Sequence, residues 1–260
     1  MLASLFALVC LLASVVPLAL AHSASLSTVE LDKRQGDCPT GVHIIVARAS
    51  GEAPGEGIIG AVATQVKRAV PGSESEAIDY PATLANYQSS QRQGVTAMGA
   101  AIDAFAKRCP ASKMVLMGYS QGAHVIGDVI CDSPTVSTRS GSSRFGLVRR
   151  SKRSASSALS HVKRQLASPA ASQIVAIIQM GDPAFVAGEP FDVGSSRKNG
   201  IFPRRDTRCF EPFASRMQSF CDRGDTFCAS GNSIATHLSY VRKFGDQAAN
   251  FVVEQVNAAA

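Results

Sequence analysis

The chain has no tryptophan and few aromatics of any kind. No nucleic-acid-binding motif and no basic stretch with interleaved aromatics stands in for them, so nothing supports nucleic acid as a partner. No C-x-x-C pair or His-rich cluster occurs, which removes the usual zinc frameworks, and no other metal or cofactor is called for. There is no N-x-S/T acceptor, so N-glycosylation is not expected. Long apolar runs are also missing outside residues 1–21, and that run is interrupted by Pro17 and short for a stable span. It ends in Ala19-Leu20-Ala21 and reads as a secretory signal peptide, although a basic n-region is absent. Residues 22–34 are polar, end in the dibasic pair Lys33-Arg34, and read as a pro-segment. Residues 35–260 then form the mature chain, expected to be extracellular and without stable membrane association.

The net charge of +6 is local in origin. Residues 137–168 hold eight Lys or Arg and no acid; outside them, counted from Gln35, 16 basic residues face 18 acidic ones. This segment is Ser- and Arg-rich without apolar periodicity, and reads as a disordered surface insert. Dibasic processing and a translated intron are the alternatives. Leaving out Cys10, which goes with the signal, six cysteines remain, Cys38, Cys109, Cys131, Cys209, Cys221 and Cys228. An even count in a secreted chain implies disulfides.

Along the chain, β-branched and apolar runs predict strands at Val42–Ala47, Ala77–Tyr80, Lys113–Met117 and Gln173–Met180. Helical spacing predicts helices over Ile58–Val70, Ser90–Cys109, Ala123–Cys131 and Asp246–Val256. Strands alternating with helices imply a single α/β domain: a three-layer α/β/α sandwich with a mainly parallel central sheet. Ligands of such sheets lie at the carboxyl ends of the strands. Ser50 follows one such end and Ser120 another.

Ser120 stands in Gly118-Tyr119-Ser120-Gln121-Gly122, between a strand and a helix. In that context the G-x-S-x-G pattern is a nucleophile elbow: the sharp turn tolerates only small residues two positions either side of the serine. A serine nucleophile needs a general base, usually His, oriented by a carboxylate. His43 lies within a strand, His161 within the basic insert, and His124 one turn into the elbow helix. His237 remains, downstream of the candidate acids as the α/β-hydrolase order of Ser, acid, His requires; order alone weighs it equally with a surface or capping histidine. The acid is either Asp182, after the strand ending at Met180, or Asp225, between Cys221 and Cys228; the residues alone weigh these two equally. Asp182 could equally be a turn-forming Asx residue.

The elbow with Tyr and Gln at its variable positions, the downstream C-x3-D-x2-C followed by His, and the strand-end Ala47-Arg48-Ala49-Ser50 resemble the fungal cutinase and acetylxylan esterase family. The resemblance runs from about Cys38 to Val256. It implies a small secreted serine esterase of the α/β-hydrolase fold without a large lid, acting as a monomer. It implies Ser120 as nucleophile, Asp225 as acid, His237 as base, and Ser50 with Gln121 as the oxyanion hole. The loop has Ala49 and Gly51 where the family more commonly has Arg-Gly-Ser-Thr or Arg-Glu-Thr. The resemblance further implies the disulfides Cys38–Cys109 and Cys221–Cys228, and Cys131–Cys209 as fits the esterase branch. The approaches to Asp225 and His237 are small and polar, which suits acetyl groups on plant cell-wall polysaccharide; cutin polyester is the alternative substrate. Phe185, Phe191, Phe202 and Phe227 read as core or loop anchors. A catalytically silent wall-binding or host-interaction protein on the same scaffold is the alternative of another class.

Overall fold

The computed structural model describes residues 38–132 and 169–259. The expected signal peptide, pro-segment and basic insert lie outside the described residues.

Three strands form the centre: β1 (Val42–Ala47), β3 (Lys113–Tyr119) and β4 (Ile174–Met180). Each is an almost unbroken apolar run because helices cover both faces of the sheet. The other strands are β2 (Glu74–Ala77), β5 (Asp192–Val193) and β6 (Met217–Phe220). All pair in parallel, in the order β2-β1-β3-β4-β6-β5. Helices α1 (Gly60–Ala69) and α6 (Tyr240–Ala258) pack on one face; α2 (Tyr87–Arg108) and α3 (Gln121–Asp132) pack on the other. Among the described residues there are also two short helices, α4 (Pro169–Gln173) before β4 and α5 (Ile234–His237) before α6, and a 3-10 segment at Arg208–Arg216. No described helix is long and apolar enough to cross a membrane.

The two-residue period of the strands divides the core. Ile45, Met114, Leu116 and Ile177 point toward Met98, Ile102 and Phe105 of α2 and Val125 and Val129 of α3. Ile44, Val46, Val115, Met117 and Ile178 point toward Val62 and Val66 of α1 and Val252 of α6. Three disulfides tie the frame, Cys38–Cys109, Cys131–Cys209 and Cys221–Cys228.

Two element positions differ from the sequence reading. The second strand is not Ala77–Tyr80: the ladder runs over Glu74–Ala77, opposite His43–Val46. It is an edge strand, where glutamates are tolerated, and Glu74 and Glu76 reach the two ring nitrogens of His43 at 2.8 and 3.0 Å. Buried His43 also stacks on Phe105 at 4.0 Å. The last helix begins at Tyr240 rather than Asp246, because Tyr240 and Val241 add apolar surface to its inner face.

The strand order reverses between β1 and β3, and their carboxyl ends lie side by side, Ala47 opposite Gly118. This is the switch point where a doubly wound sheet opens a crevice. A Cβ on Gly122 would lie 2.0 Å from the Ala47 carbonyl oxygen and 2.7 Å from that of Arg48. Both are backbone atoms of a buried strand end and cannot yield cheaply. Gly122→Ala is expected to cost about 2 kcal/mol or more in denaturant unfolding. Gly245→Ala in α6, where the nearest neighbouring atom is 3.9 Å away, is expected to stabilise by about 0.5–1 kcal/mol through helix propensity.

Candidate active site

Ser120 is the residue between β3 and α3. Its φ is +53°, a left-handed conformation that a side-chain-bearing residue adopts only under constraint. The constraint is steric. A Cβ on Gly118 would meet the Gly122 carbonyl at 2.5 Å, so strand and helix touch backbone to backbone on both sides of the serine. The Ser120 N–H donates to the Met180 carbonyl (2.8 Å), and its own carbonyl accepts from the His124 N–H (3.1 Å).

Ser120 Oγ lies 2.9 Å from His237 Nε2. His237 Nδ1 lies 2.9 Å from Asp225 Oδ2. The hydroxyl sits at the surface end of this chain, whereas Asp225 is wholly buried. An imidazole set between a hydroxyl and a buried carboxylate can accept the hydroxyl proton and be stabilised as the cation.

Asp225 occupies the loop closed by the Cys221–Cys228 disulfide. Its Oδ1 accepts the N–H groups of Phe227 (2.6 Å) and Cys228 (2.9 Å), and its Oδ2 accepts the Tyr240 hydroxyl at 2.7 Å. Burial pushes this carboxyl up. The hydrogen bond and charge of His237, the Tyr240 hydroxyl and the Cys228 N–H outweigh burial and hold it below the usual range. Burial raises the Tyr240 phenol well above its ordinary value, with the Asp225 charge adding to the effect, so Tyr240 remains a donor. His237 is fixed from three further directions. Tyr119 OH donates to its carbonyl, Phe227 packs edge-on against its ring at 4.6 Å, and Ser233 caps α5 by accepting the Thr236 N–H. Gly181, at φ +66°, lies under the imidazole; a Cβ there would come within 2.7 Å of the ring.

Asp182 is placed elsewhere. Its Oδ1 accepts the Ala184 N–H (2.8 Å) in an Asx turn, and its Oδ2 pairs with Arg204 at 2.5 Å. Arg204 also reaches Asp128 (3.1 Å) and the His124 carbonyl (3.0 Å). Burial alone would lower Arg204; Asp182 and Asp128 more than offset it and keep it charged. His124 turns away from Ser120, toward the Tyr87 hydroxyl at 3.0 Å and Asp128 at 3.4 Å.

Ser50 lies three residues beyond β1, in a loop that is tightly held. Buried Arg48 donates to the carbonyls of Tyr80 (2.5 Å) and Glu52 (3.1 Å), and Tyr80 OH donates back to the Arg48 carbonyl (2.6 Å). Glu52 accepts the Ala49 and Ile58 N–H groups at 2.6 and 2.7 Å. Within this frame the Ser50 hydroxyl is buried and has no hydrogen-bond partner among the described residues, an arrangement that costs free energy unless a ligand supplies one. Gln121 opens α3, so its N–H has no acceptor within the helix. Its side chain is spent on structure, accepting the Ser90 hydroxyl (2.9 Å) and donating to the Thr83 carbonyl (3.2 Å).

Sequence reasoning missed Tyr240, Tyr119 and Arg204. Tyr119 stands in the elbow motif, but nothing there announces its hydrogen bond to the His237 carbonyl; Tyr240 and Arg204 belong to no motif, and all three roles are recognisable only once α6 and the loop after β4 are folded against the site.

Residues 38–256 match the protein family described as Cutinase. The chain belongs to the cutinase family. It is 35% identical over 229 residues to acetylxylan esterase 2 of Talaromyces purpureogenus, covering 85% of this chain and 88% of that protein. It is 33% identical over 248 residues to cutinase 11 of Verticillium dahliae, covering 93% and 77%. A solved acetylxylan esterase structure superposes with a TM-score of 0.68 at 32% identity, covering 85% of this chain and all of that one.

The placement of the two aspartates within this cutinase-family chain gives a stability test. Asp182→Asn removes one partner from a buried ion pair, and Arg204 keeps Asp128. Loss of about 3 kcal/mol in denaturant unfolding is expected. A melt indistinguishable from wild type would show that the pair contributes nothing.

Proposed function

We propose that this chain is a secreted serine carboxylesterase that removes acetyl groups from plant cell-wall polysaccharide such as acetylxylan. The observation that carries the esterase reading is the Ser120–His237–Asp225 chain of 2.9 Å contacts, ending in a hydroxyl on a strained turn. The acetylxylan esterases among its relatives support the choice of substrate. Three disulfides suit an oxidising extracellular setting, and the protein is taken to act there as a monomer, free of the membrane.

The proposed mechanism is two-step acyl transfer. Ser120 Oγ attacks the ester carbonyl carbon as His237 Nε2 takes its proton. Asp225 holds the imidazolium through Nδ1 and keeps the ring oriented. The carbonyl oxygen becomes an oxyanion, bound by the N–H groups of Gln121 and Ser50. The unpartnered Ser50 hydroxyl supplies a third donor, and the N-terminus of α3 favours the negative charge. Collapse breaks the bond to the sugar oxygen, which leaves with the proton from Nε2, and Ser120 holds the acetyl group. Water then attacks this ester, giving its proton to His237, and acetate departs as Ser120 regains its hydrogen.

A cutin-hydrolysing reading also has an observation behind it. Leu84, beside the Thr83 carbonyl that holds Gln121, is 66% exposed; Ile234 and Leu238, either side of His237, are 48% and 60% exposed. These side chains would accommodate an acyl chain better than the small polar residues around them.

Covalent labelling and variant kinetics test the proposal. Ser120 should be labelled covalently by an organophosphonate, and Ser120→Ala should lose nearly all ester turnover while keeping its circular dichroism. A folded protein that does not label would make the chain a silent member of the family. Asp225→Asn should lower kcat by about 10^4, through the wrong imidazole tautomer, and Asp182→Asn far less at a temperature where both are folded; the reverse ranking would move the acid. With Ser120→Ala as blank, rates on aryl esters should peak at acetate. A maximum at butyrate or longer would assign the chain to polyester.

A further inference from the structure

We propose that a basic pocket on the acid-bearing loop binds the carboxylate of a uronic-acid unit in the polysaccharide; this rests on the polysaccharide esterase reading above. The pocket has a volume of about 450 Å³ and lies between the segment after β5 and the loop around the Cys221–Cys228 ring. Arg197 and Lys198 line it from the first segment, Arg223 and Asn232 from the second. Among the described residues no carboxylate lines it.

Among the described residues, none of the three cations is within ion-pair distance of an acid. Arg197 does lie near enough to Asp192 to favour its charged form. Asp192 spends Oδ2 on the Gly188 and Glu189 N–H groups (2.8 and 3.0 Å) and its Oδ1 accepts no hydrogen bond among the described residues, whereas the two acids of the second segment are occupied. Asp222 is held by Lys243 (2.5 Å), the Ser195 N–H (3.0 Å) and the Ser195 hydroxyl (2.8 Å). Asp225 is buried with its four donors. Arg197 Nη1 donates to the Ser196 carbonyl (3.1 Å), which leaves its other guanidinium N–H groups; three like charges lining one concavity repel each other, and an anion entering it relieves that repulsion. The rest of the lining is uncharged, with Ser196, Ser230 and Asn232 bringing polar side chains beside Ala229 and two glycines. Gly231 and Gly224, both in the lining, meet backbone to backbone, where a Cβ on Gly231 would come within 2.3 Å of the Gly224 carbonyl. Guanidinium forks match a carboxylate bidentately, and amide and peptide groups match sugar hydroxyls.

The position suits the same substrate. The pocket follows the carboxyl ends of β5 and β6, on the side of the sheet where Ser120 follows β3. Two strand spacings separate β3 from β6, about 10 Å across the sheet. A polysaccharide with its acetyl ester at Ser120 can therefore place an acidic unit farther along the chain in this pocket.

The test is binding, read apart from turnover. Ser120→Ala protein is run by affinity electrophoresis against xylan bearing glucuronic acid and against neutral arabinoxylan. In this background Arg197→Gln/Arg223→Gln is compared with Arg68→Gln/Arg242→Gln, which removes the same charge from exposed helix positions elsewhere. Tighter binding to the acidic xylan is expected, weakened at least about fivefold by the pocket pair and less than about twofold by the control pair. Lys198→Glu alone should weaken it as well. Equal loss in the two pairs, or none in either, would overturn the site and reduce any attraction to overall charge. Displacement by inorganic phosphate at lower concentration than by free glucuronate would overturn the carboxylate assignment. Failure of the esterase reading would show separately, as absent aryl acetate turnover in protein with Ser120 intact.

Discussion

The structure depends on one close contact, the start of α3 against the end of β1. Gly122 rests on the carbonyls of Ala47 and Arg48, and Gly118 rests beneath Gly122. With no room for a side chain at either place, the chain can turn from β3 into α3 only through a left-handed residue at 120. Such a conformation costs of order 1–3 kcal/mol and persists when the surroundings over-determine it. Here both backbone groups of Ser120 are hydrogen-bonded, to Met180 and His124. Its side chain is the part left free to act. The same contact sets the end of β1 beside the end of β3, which is why the loop carrying Ser50 lies next to the serine at all.

The other side of the site is held by saturation rather than by strain. Asp225 meets a donor at every available direction: two peptide N–H groups on one oxygen, His237 and Tyr240 on the other. A buried carboxylate so bonded has little freedom to reorient and no reason to take a proton. The two residues after β4 divide the remaining work. Gly181 has no side chain, which leaves room for the imidazole; Asp182 is locked to Arg204 and braces the loop that closes over β4.

How much of this is legible in the chain follows from what each feature depends on. β1, β3 and β4 are readable because burial on both faces forces unbroken apolar runs. β2 is displaced to Glu74–Ala77 because an edge strand obeys no such rule, and its glutamates serve His43. β6 is four residues, Met217-Gln218-Ser219-Phe220, with neither a long apolar run nor clear alternation, and β5 is only two. In the site, the elbow is readable since its glycines answer to local sterics. The choice between Asp182 and Asp225 is not, since both are acids in loops at strand ends. What separates them is Arg204, 22 residues past Asp182, and Tyr240, 15 past Asp225. Long-range partners of that kind leave no spacing to read.

The saturation of Asp225 also bears on what surrounds it. Arg223 is two residues from Asp225 and next to Asp222, and in most loops it would pair with one of them. It does not, because Lys243, Ser195, His237, Tyr240 and two peptide N–H groups have taken the carboxylate oxygens. The bonding that would orient the base therefore also leaves Arg223, among the described residues, without an acid partner in the loop that lines the pocket together with Arg197 and Lys198. An exposed arginine is common and means little alone. Three of them or their equivalents, lining one concavity with no acid among them, make a field that a neutral ligand cannot use and an anionic one can. That asymmetry favours an acidic polysaccharide over a polyester, whose neutral esters would gain nothing from it.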